Sequence, residues 1–291
     1  MPGIDPQQFK EAQRKSWDSV AAGWQEWWKT IENGAQVVSD RLVELAKINP
    51  DSRVLDIATG IGEPAITAAT KIRNDNGCGH VLATDMSSQM LSIAKQRASS
   101  LGLQDLIEFR EGDAETISLP ASTFDAVLCR WGLMFLPDLR AGLSNIYRSL
   151  VEGGRLAAAV WASPEEVPFI SVVMNIVSKE TNKPLPATGI PGPFSLADEH
   201  VLKGALLESG FKDVGTEDMN VTFTFDTPQD YTRFHQSIAA PIHAMIANET
   251  QERKEEIWNA VTAEITRRYA NDSTESVSLN NQAICVSGVK V

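Results

Sequence analysis

The stretch Val54-Leu-Asp-Ile-Ala-Thr-Gly-Ile-Gly-Glu-Pro-Ala65 decides the fold. A short apolar run reaches Asp56, Gly60 and Gly62 follow, and Pro64 opens the next segment, so the stretch reads as strand, tight turn and helix. Glycine suits a strand that turns directly into a helix, because a Cβ would block the backbone angles or close approaches needed there. Pro64 suits the first helical position, where its missing N–H costs nothing. The turn then presents free backbone N–H groups above the end of the strand.

Two ligand classes use such a turn. Gly60, Gly62 and Ala65 satisfy the G-x-G-x-x-G/A spacing of dinucleotide sites, in which a helix N-terminus holds a pyrophosphate. Asp56 shifts the balance, because a carboxylate just below the turn repels a pyrophosphate and favours a ligand with an ammonium group. S-adenosylmethionine (SAM) has that ammonium, a sulfonium cation and no phosphate.

Downstream, strand and helix patterns alternate. Strands are expected at 54–57, 81–84, 107–110, 124–129 and 156–161, with helices at 65–72, 87–101 and 139–150 between them. Such alternation implies a parallel sheet with helices on both faces. The fold expected is α/β: a Rossmann-like, doubly wound, mostly parallel seven-stranded sheet with a helical N-terminal cap and helical lid insertions.

Upstream, residues 7–31 place Trp17, Val20, Trp24, Trp27, Trp28 and Ile31 on one helical face, with Gly23 as a point of bending, and 36–47 forms a second helix. Four of the seven tryptophans lie in this segment, so part of the aromatic face is expected to cover a pocket. Beyond residue 161 the rhythm changes. An apolar helix around 169–177, a Pro- and Gly-rich loop at 184–193, a helix at 196–207, a strand at 214–225, a helical insertion at 227–270 and a last strand at 282–289 are expected. The chain thus divides into a cap (1–48), a ligand-binding core (49–161) and a remainder (162–291) with lid insertions at about 164–208 and 227–270.

Composition narrows the function. The formal net charge is -12, which leaves no broad basic surface for nucleic acid. Cys78, Cys129 and Cys285 are too few and scattered for a disulfide framework or zinc site, and no His, Cys or acidic pair has metal-ligand spacing, so no metal is expected. The first six residues carry no signal pattern and no apolar run could span a bilayer, making a cytoplasmic protein the expectation, of unknown oligomeric state.

With these motifs in order, the chain resembles the class I SAM-dependent methyltransferases, in the branch of the ubiquinone and menaquinone C-methyltransferases and their small-molecule relatives. The resemblance is good over about residues 36–161 and holds only in outline beyond. It implies SAM as cofactor. Asp56, Ala58, Gly60 and Gly62 would cradle its methionine end, Asp85 would take the ribose hydroxyls, and Met86 would lie on adenine. Gly112, Asp113 and Ala114 would read the adenine edge, and Arg130 and Trp131 would line the wall near the sulfonium. The family usually has Gly where this chain has Ala58, a change that needs only a small residue.

The methyl acceptor is expected to be a largely apolar or aromatic small molecule, bounded by Trp24, Trp28, Trp131, Met134, Phe194 and His235. Candidate bases are His235, His243 and Glu26, should the acceptor enter protonated. N- or O-methylation, of the kind found in natural-product biosynthesis, leads; C-methylation of a quinone or prenyl-type substrate is the alternative. An NAD(P)-dependent oxidoreductase and an inactive SAM-fold binding module stand as readings from other classes. Asp85→Ala is expected to weaken SAM binding and leave the fold intact.

Overall fold

Val54, Leu55, Asp56 and Ile57 are all buried. A strand covered on both faces belongs in the middle of a parallel sheet, and that is where β1 (Arg53–Ile57) lies in the computed structural model, which describes residues 6–185 and 190–291. In chain order, α1 (Pro6–Glu26) and α2 (Trp28–Leu45) precede β1. They are followed by α3 (Ala65–Asn74), β2 (His80–Asp85), α4 (Ser88–Ser100), β3 (Ile107–Glu111), β4 (Phe124–Arg130), α5 (Leu139–Ser149) and β5 (Leu150–Trp161). Then come α6 (Pro168–Thr181), α7 (Glu199–Glu208), β6 (Lys212–Phe225), α8 (Pro228–Ile238), α9 (Ala240–Ile246), α10 (Gln251–Tyr269) and β7 (Val277–Val289).

The seven strands run in the order β3-β2-β1-β4-β5-β7-β6, and β7 is antiparallel to both its neighbours. The expected Rossmann-like, mostly parallel seven-stranded sheet is therefore present. Successive connections change direction between β1 and β4, and in an open α/β sheet that switch point leaves a crevice at the carboxyl ends of the strands. The end of β4 at Arg130 and the turn of residues 58–61 meet there.

Several boundaries differ from the sequence reading. The first helix ends at Glu26, and Trp28 and Ile31 belong to α2. The break falls at Trp27, whose ring packs edge-on against Phe234 with centroids 5.6 Å apart. Gly23 lies inside an unbroken α1 and marks a crossing rather than a bend: a Cβ there would sit 2.2 Å from the Ser237 carbonyl oxygen of α8. Pro64 is the N-cap of α3 and not its first helical residue. The 227–270 insertion is three helices, and β7 starts at Val277 because residues 277–281 pair with 221–225 of β6. Val221, Phe223 and Phe225 face the core, as their alternation predicts, and so do Ile257, Val261 and Ile265 of α10. Cys129 and Cys285 are buried core residues and Cys78 is exposed. The reading of the first six residues rests largely on positions outside the described residues, as does part of the 184–193 loop. Among the described residues no helix is long and apolar enough to cross a membrane, and no acidic, His or Cys group could hold a metal ion.

Candidate active site

A cavity of about 240 Å³ follows the carboxyl ends of the strands. Strand order sets its layout. Gly112, Asp113 and Ala114 come from the end of β3, Asp85 and Met86 from β2, and Ala58, Thr59 and Gly60 from β1. Arg130 and Trp131 follow at the end of β4, Trp161 at β5 and Phe223 on β6. The cavity is thus polar toward β1, β2 and β3, and aromatic toward β5 and β6.

The polar floor is organised by two carboxylates. Asp85 Oδ2 accepts the Gly60 backbone N–H at 2.8 Å and Oδ1 accepts Ser87 N–H at 2.9 Å, so the acid ties the glycine turn to the start of α4. It is buried, which pushes its pKa up to about 6, and no cation of the described residues pairs with it. Asp113 Oδ1 accepts Glu115 N–H, while Oδ2 accepts Lys10 Nζ of α1 at 2.7 Å; Lys10 also pairs with Glu115. The N-terminal helix is held over this floor at further points. Gln13 Nε2 donates to the Phe135 carbonyl at 3.1 Å, and Asp18 accepts the Ser87 hydroxyl at 2.6 Å.

Asp56 is placed differently from expectation. It does not line the cavity; its Oδ2 accepts Ala65 N–H at 3.0 Å and so caps the first turn of α3 from below. Burial raises its pKa to about 8. The negative field assigned to Asp56 from its sequence position is supplied at the cavity wall by Asp85 instead. Gly62 also lies outside the cavity lining, against Ile66, whereas Gly60 (φ +56°) has open space where a side chain would stand.

Ala58 and Trp131 meet at the middle of the cavity, and both have left-handed backbone, φ 56° and 61°. Such angles are uncommon for non-glycine residues and, for a bulky one, mark a strained position of the kind that collects at functional sites. Neighbours hold them. Trp131 stacks on Trp161 with centroids 4.2 Å apart, and Gly132 makes room for the Ala58 methyl, since a Cβ at 132 would come within 2.6 Å of it. The family's usual glycine at position 58 is explained by this φ; a small side chain alone is not the whole requirement.

Arg130 lines the cavity, but its guanidinium is committed. Its Nη atoms donate to both Glu32 oxygens at 2.8 Å, and Nη1 also to Ser39 Oγ at 2.9 Å. Its charge is therefore balanced within the protein and serves to fasten α2 to β4.

At the aromatic end, Phe169 of α6 stacks on Phe223 at 4.1 Å, and Phe234 and His235 of α8 close the wall. Trp24, Met134, Trp131 and His235 line the cavity as expected. Four expected residues do not. Trp28, in α2 beyond the break at Trp27, is half-buried under the Arg97 guanidinium against the cluster of Val20, Ile61 and Met90 and does not reach the cavity. Phe194 gives way to Pro193 at the wall, and His243 bonds the Gln236 carbonyl through Nε2 while Pro241 and Ile242 face the cavity. Glu26 is also outside the lining. The sequence reading missed Lys10, Gln13 and Phe169. Lys10 looks like any helix-surface charge in the sequence, and only the fold brings it to Asp113 across 103 residues.

Comparison with known proteins adds one decisive match: residues 54–154 fit the family described as a methyltransferase domain. Over these residues the chain is similar to a methyltransferase domain. The chain is 30% identical over 162 residues to the ubiquinone/menaquinone biosynthesis C-methyltransferase of a Bradyrhizobium species, covering 55% of this chain and 59% of that protein. It spans about half the length of the curated relatives it matches. Among solved structures, phosphoethanolamine N-methyltransferase 2 of Haemonchus contortus, in complex with SAM, superposes with a TM-score of 0.59 at 17% identity, over 99% of this chain and 60% of that one. The cyclase SpnF superposes with a TM-score of 0.55 at 20% identity, over 89% of this chain and 83% of its own. These superpositions establish the shared fold, and a fold does not by itself carry an activity.

The polar floor fits SAM on its own chemistry. Asp85 is a buried carboxylate without a cationic partner at the end of β2, where its free acceptor capacity suits the hydroxyls of a ribose. Thr59 Oγ1, also on the cavity wall, is buried without a hydrogen-bond partner. Gly60 leaves open space where a side chain would crowd a ligand.

Proposed function

We propose that the protein is a SAM-dependent methyltransferase that transfers a methyl group to N or O of a largely apolar or aromatic small molecule. The observation that carries this reading is the continuity of the cavity, which joins an anionic floor with no cation of its own at Asp85 to an aromatic chamber around Phe169, Phe223 and Trp161.

When bound, SAM would supply an electrophilic methyl group on a sulfonium. Asp85 would accept hydrogen bonds from the ribose, Asp113 and Ala114 would meet the adenine edge beneath Lys10, and Thr59 and Gly60 would hold the methionine end. Asp56 would act one layer below by fixing the start of α3. The chain's contribution to rate is positional, since holding two reactants at near-attack distance supplies effective molarities of about 10⁵ M or more. The helical cover, from α1 with Trp17 and Trp24 to α8 with Phe234, excludes water from that contact. Similarity to the quinone C-methyltransferases favours a second reading, C-methylation of a quinone-type ring.

Isothermal titration with SAM and with NAD tests the cofactor, with binding expected for SAM alone. A metabolite panel incubated with isotopically labelled SAM and read by mass spectrometry then identifies the acceptor and the atom methylated. Binding of NAD in place of SAM, or saturation by SAM without transfer to any apolar acceptor, counts against the reading.

A further inference from the structure

His235 is 3% exposed, lines the aromatic end of the cavity, and its Nε2 has no hydrogen-bond partner. The rest of the ring is fixed. The Phe169 backbone carbonyl, which accepts the Tyr231 hydroxyl at 2.8 Å, acts on the imidazole as well, and the rings of Tyr231 and Phe169 lie 4.4 and 5.0 Å away. A neutral imidazole carries one N–H; with the Phe169 carbonyl drawing it to the other nitrogen, Nε2, which has no partner in the protein, presents the lone pair. Burial among aromatic rings pushes the imidazole pKa down to about 3, so the lone pair stays unprotonated at neutral pH. Around it the chamber is lined by Trp161, Phe169, Val173, Phe223, Phe234 and Ile238, none of which offers a side-chain acceptor.

A buried acceptor left unpaired is costly, and a ligand that brings a donor to it recovers that cost. We propose that His235 is the specificity-determining residue for the methyl acceptor, its Nε2 taking a hydrogen bond from an O–H or N–H carried on an otherwise apolar ring system. This deepens the methyltransferase reading and rests on the aromatic chamber being the acceptor site. The acceptor class is thereby narrowed to phenol-like or aryl-amine-like molecules. A fully oxidised quinone, which has acceptors only, would meet the lone pair unfavourably, whereas its reduced hydroxyl form would satisfy it.

The test is equilibrium dialysis of the full chain with 1-naphthol and 1-methylnaphthalene, which differ in a hydroxyl at nearly constant size. The wild-type chain should hold 1-naphthol at least about tenfold more tightly, the scale of one hydrogen bond to a buried group. His235→Phe keeps the ring and removes the acceptor, and should bring the two affinities within about twofold; His235→Gln restores an acceptor and should recover part of the preference. Circular dichroism of each variant checks the fold. Equal affinities in the wild-type chain, a preference that survives His235→Phe, or retention of neither compound overturns the proposal. Calorimetry with SAM on the same samples separates the two ideas: loss of SAM binding with the naphthol preference intact sinks the methyltransferase reading alone, and the reverse sinks only the role of His235.

Discussion

The two ends of the cavity solve opposite problems. At the floor, Asp85, Asp113 and Arg130 are already engaged by backbone N–H groups, Lys10 and Glu32, so the groups are held in place before any ligand arrives. One floor atom, Thr59 Oγ1, is left without a partner; toward the chamber the polar atoms are few and none is paired, Nε2 of His235 and the indole N–H groups of Trp24 and Trp131 being buried without partners. A site that must hold one constant ligand is built mostly from polar groups already engaged, because a half-satisfied network is destabilising. A site that must accept a variable partner leaves its few polar atoms for that partner to satisfy.

The contrast breaks most visibly at Arg130. Removing this side chain leaves Glu32 buried without a counter-charge, and breaking one half of a buried ion pair costs about 3–5 kcal/mol. Arg130→Ala should therefore lose about that much stability in urea unfolding, while Arg130→Met combined with Glu32→Leu should lose far less. Equal losses in both would mean that the pair is not the source of the effect.

Asp85 comes next. Its substitution cannot leave the fold untouched, as the motif alone suggested, because it holds Gly60 N and Ser87 N. Asp85→Ala should cost about 1–3 kcal/mol of stability in addition to weakening SAM, and Asp85→Asn, which keeps one acceptor, should cost less stability. SAM affinity by calorimetry beside unfolding curves checks the separation; unchanged SAM affinity in both variants would remove Asp85 from the cofactor site.

The same two ends should titrate with opposite signs. Asp56 holds its proton up to about pH 8 in the folded chain, but an unfolded aspartate releases it near 3.9. The folded state binds more protons across that interval, so this contribution to stability is complete below the unfolded value and is lost as pH rises through the folded one. His235, with a folded pKa of about 3 against about 6.5 unfolded, does the reverse. The unfolded state binds more protons there, so the stability gained by keeping the ring neutral is present above the unfolded value and lost as pH falls toward 3. Melting temperatures across pH 4–8 should show Asp56→Asn flattening the decline on the alkaline side and His235→Phe flattening the acid side. Parallel profiles for wild type and both variants would refute this assignment of charge.

How much of this was legible in the sequence differs between the ends for a physical reason. The floor is local: a strand, a glycine turn and an acid at the next strand end lie at regular spacing, so the parallel sheet and the strand-end position of Asp85 could be read from residues 54–161. The chamber is assembled from α2, α6, α8, β5 and β6, and only tertiary packing decides which aromatic faces it. Trp28 was misplaced because the helix break at Trp27 leaves no proline or glycine signal, and Phe169 was overlooked because an apolar helix does not reveal which side it turns inward. Asp56 shows the limit within the motif itself. Its spacing is right, yet its direction follows from the orphan N–H at the start of α3, a local demand that competes with the ligand for the same carboxylate.

The finest test lies where the two ends meet. A left-handed alanine costs about 1–2 kcal/mol relative to its ordinary conformation, and glycine returns part of that gain through the entropy it loses on folding. Ala58→Gly should thus stabilise the chain by at most about 1 kcal/mol. Gly132→Ala should destabilise it more, since its Cβ would stand 2.6 Å from the Ala58 methyl and 2.7 Å from Cys129 Sγ. In the double variant the first clash is gone and the second persists, so the loss should shrink without vanishing. Strict additivity in that cycle would mean that residues 58 and 132 do not share space, and the accommodation of Ala58 by Gly132 would need another cause.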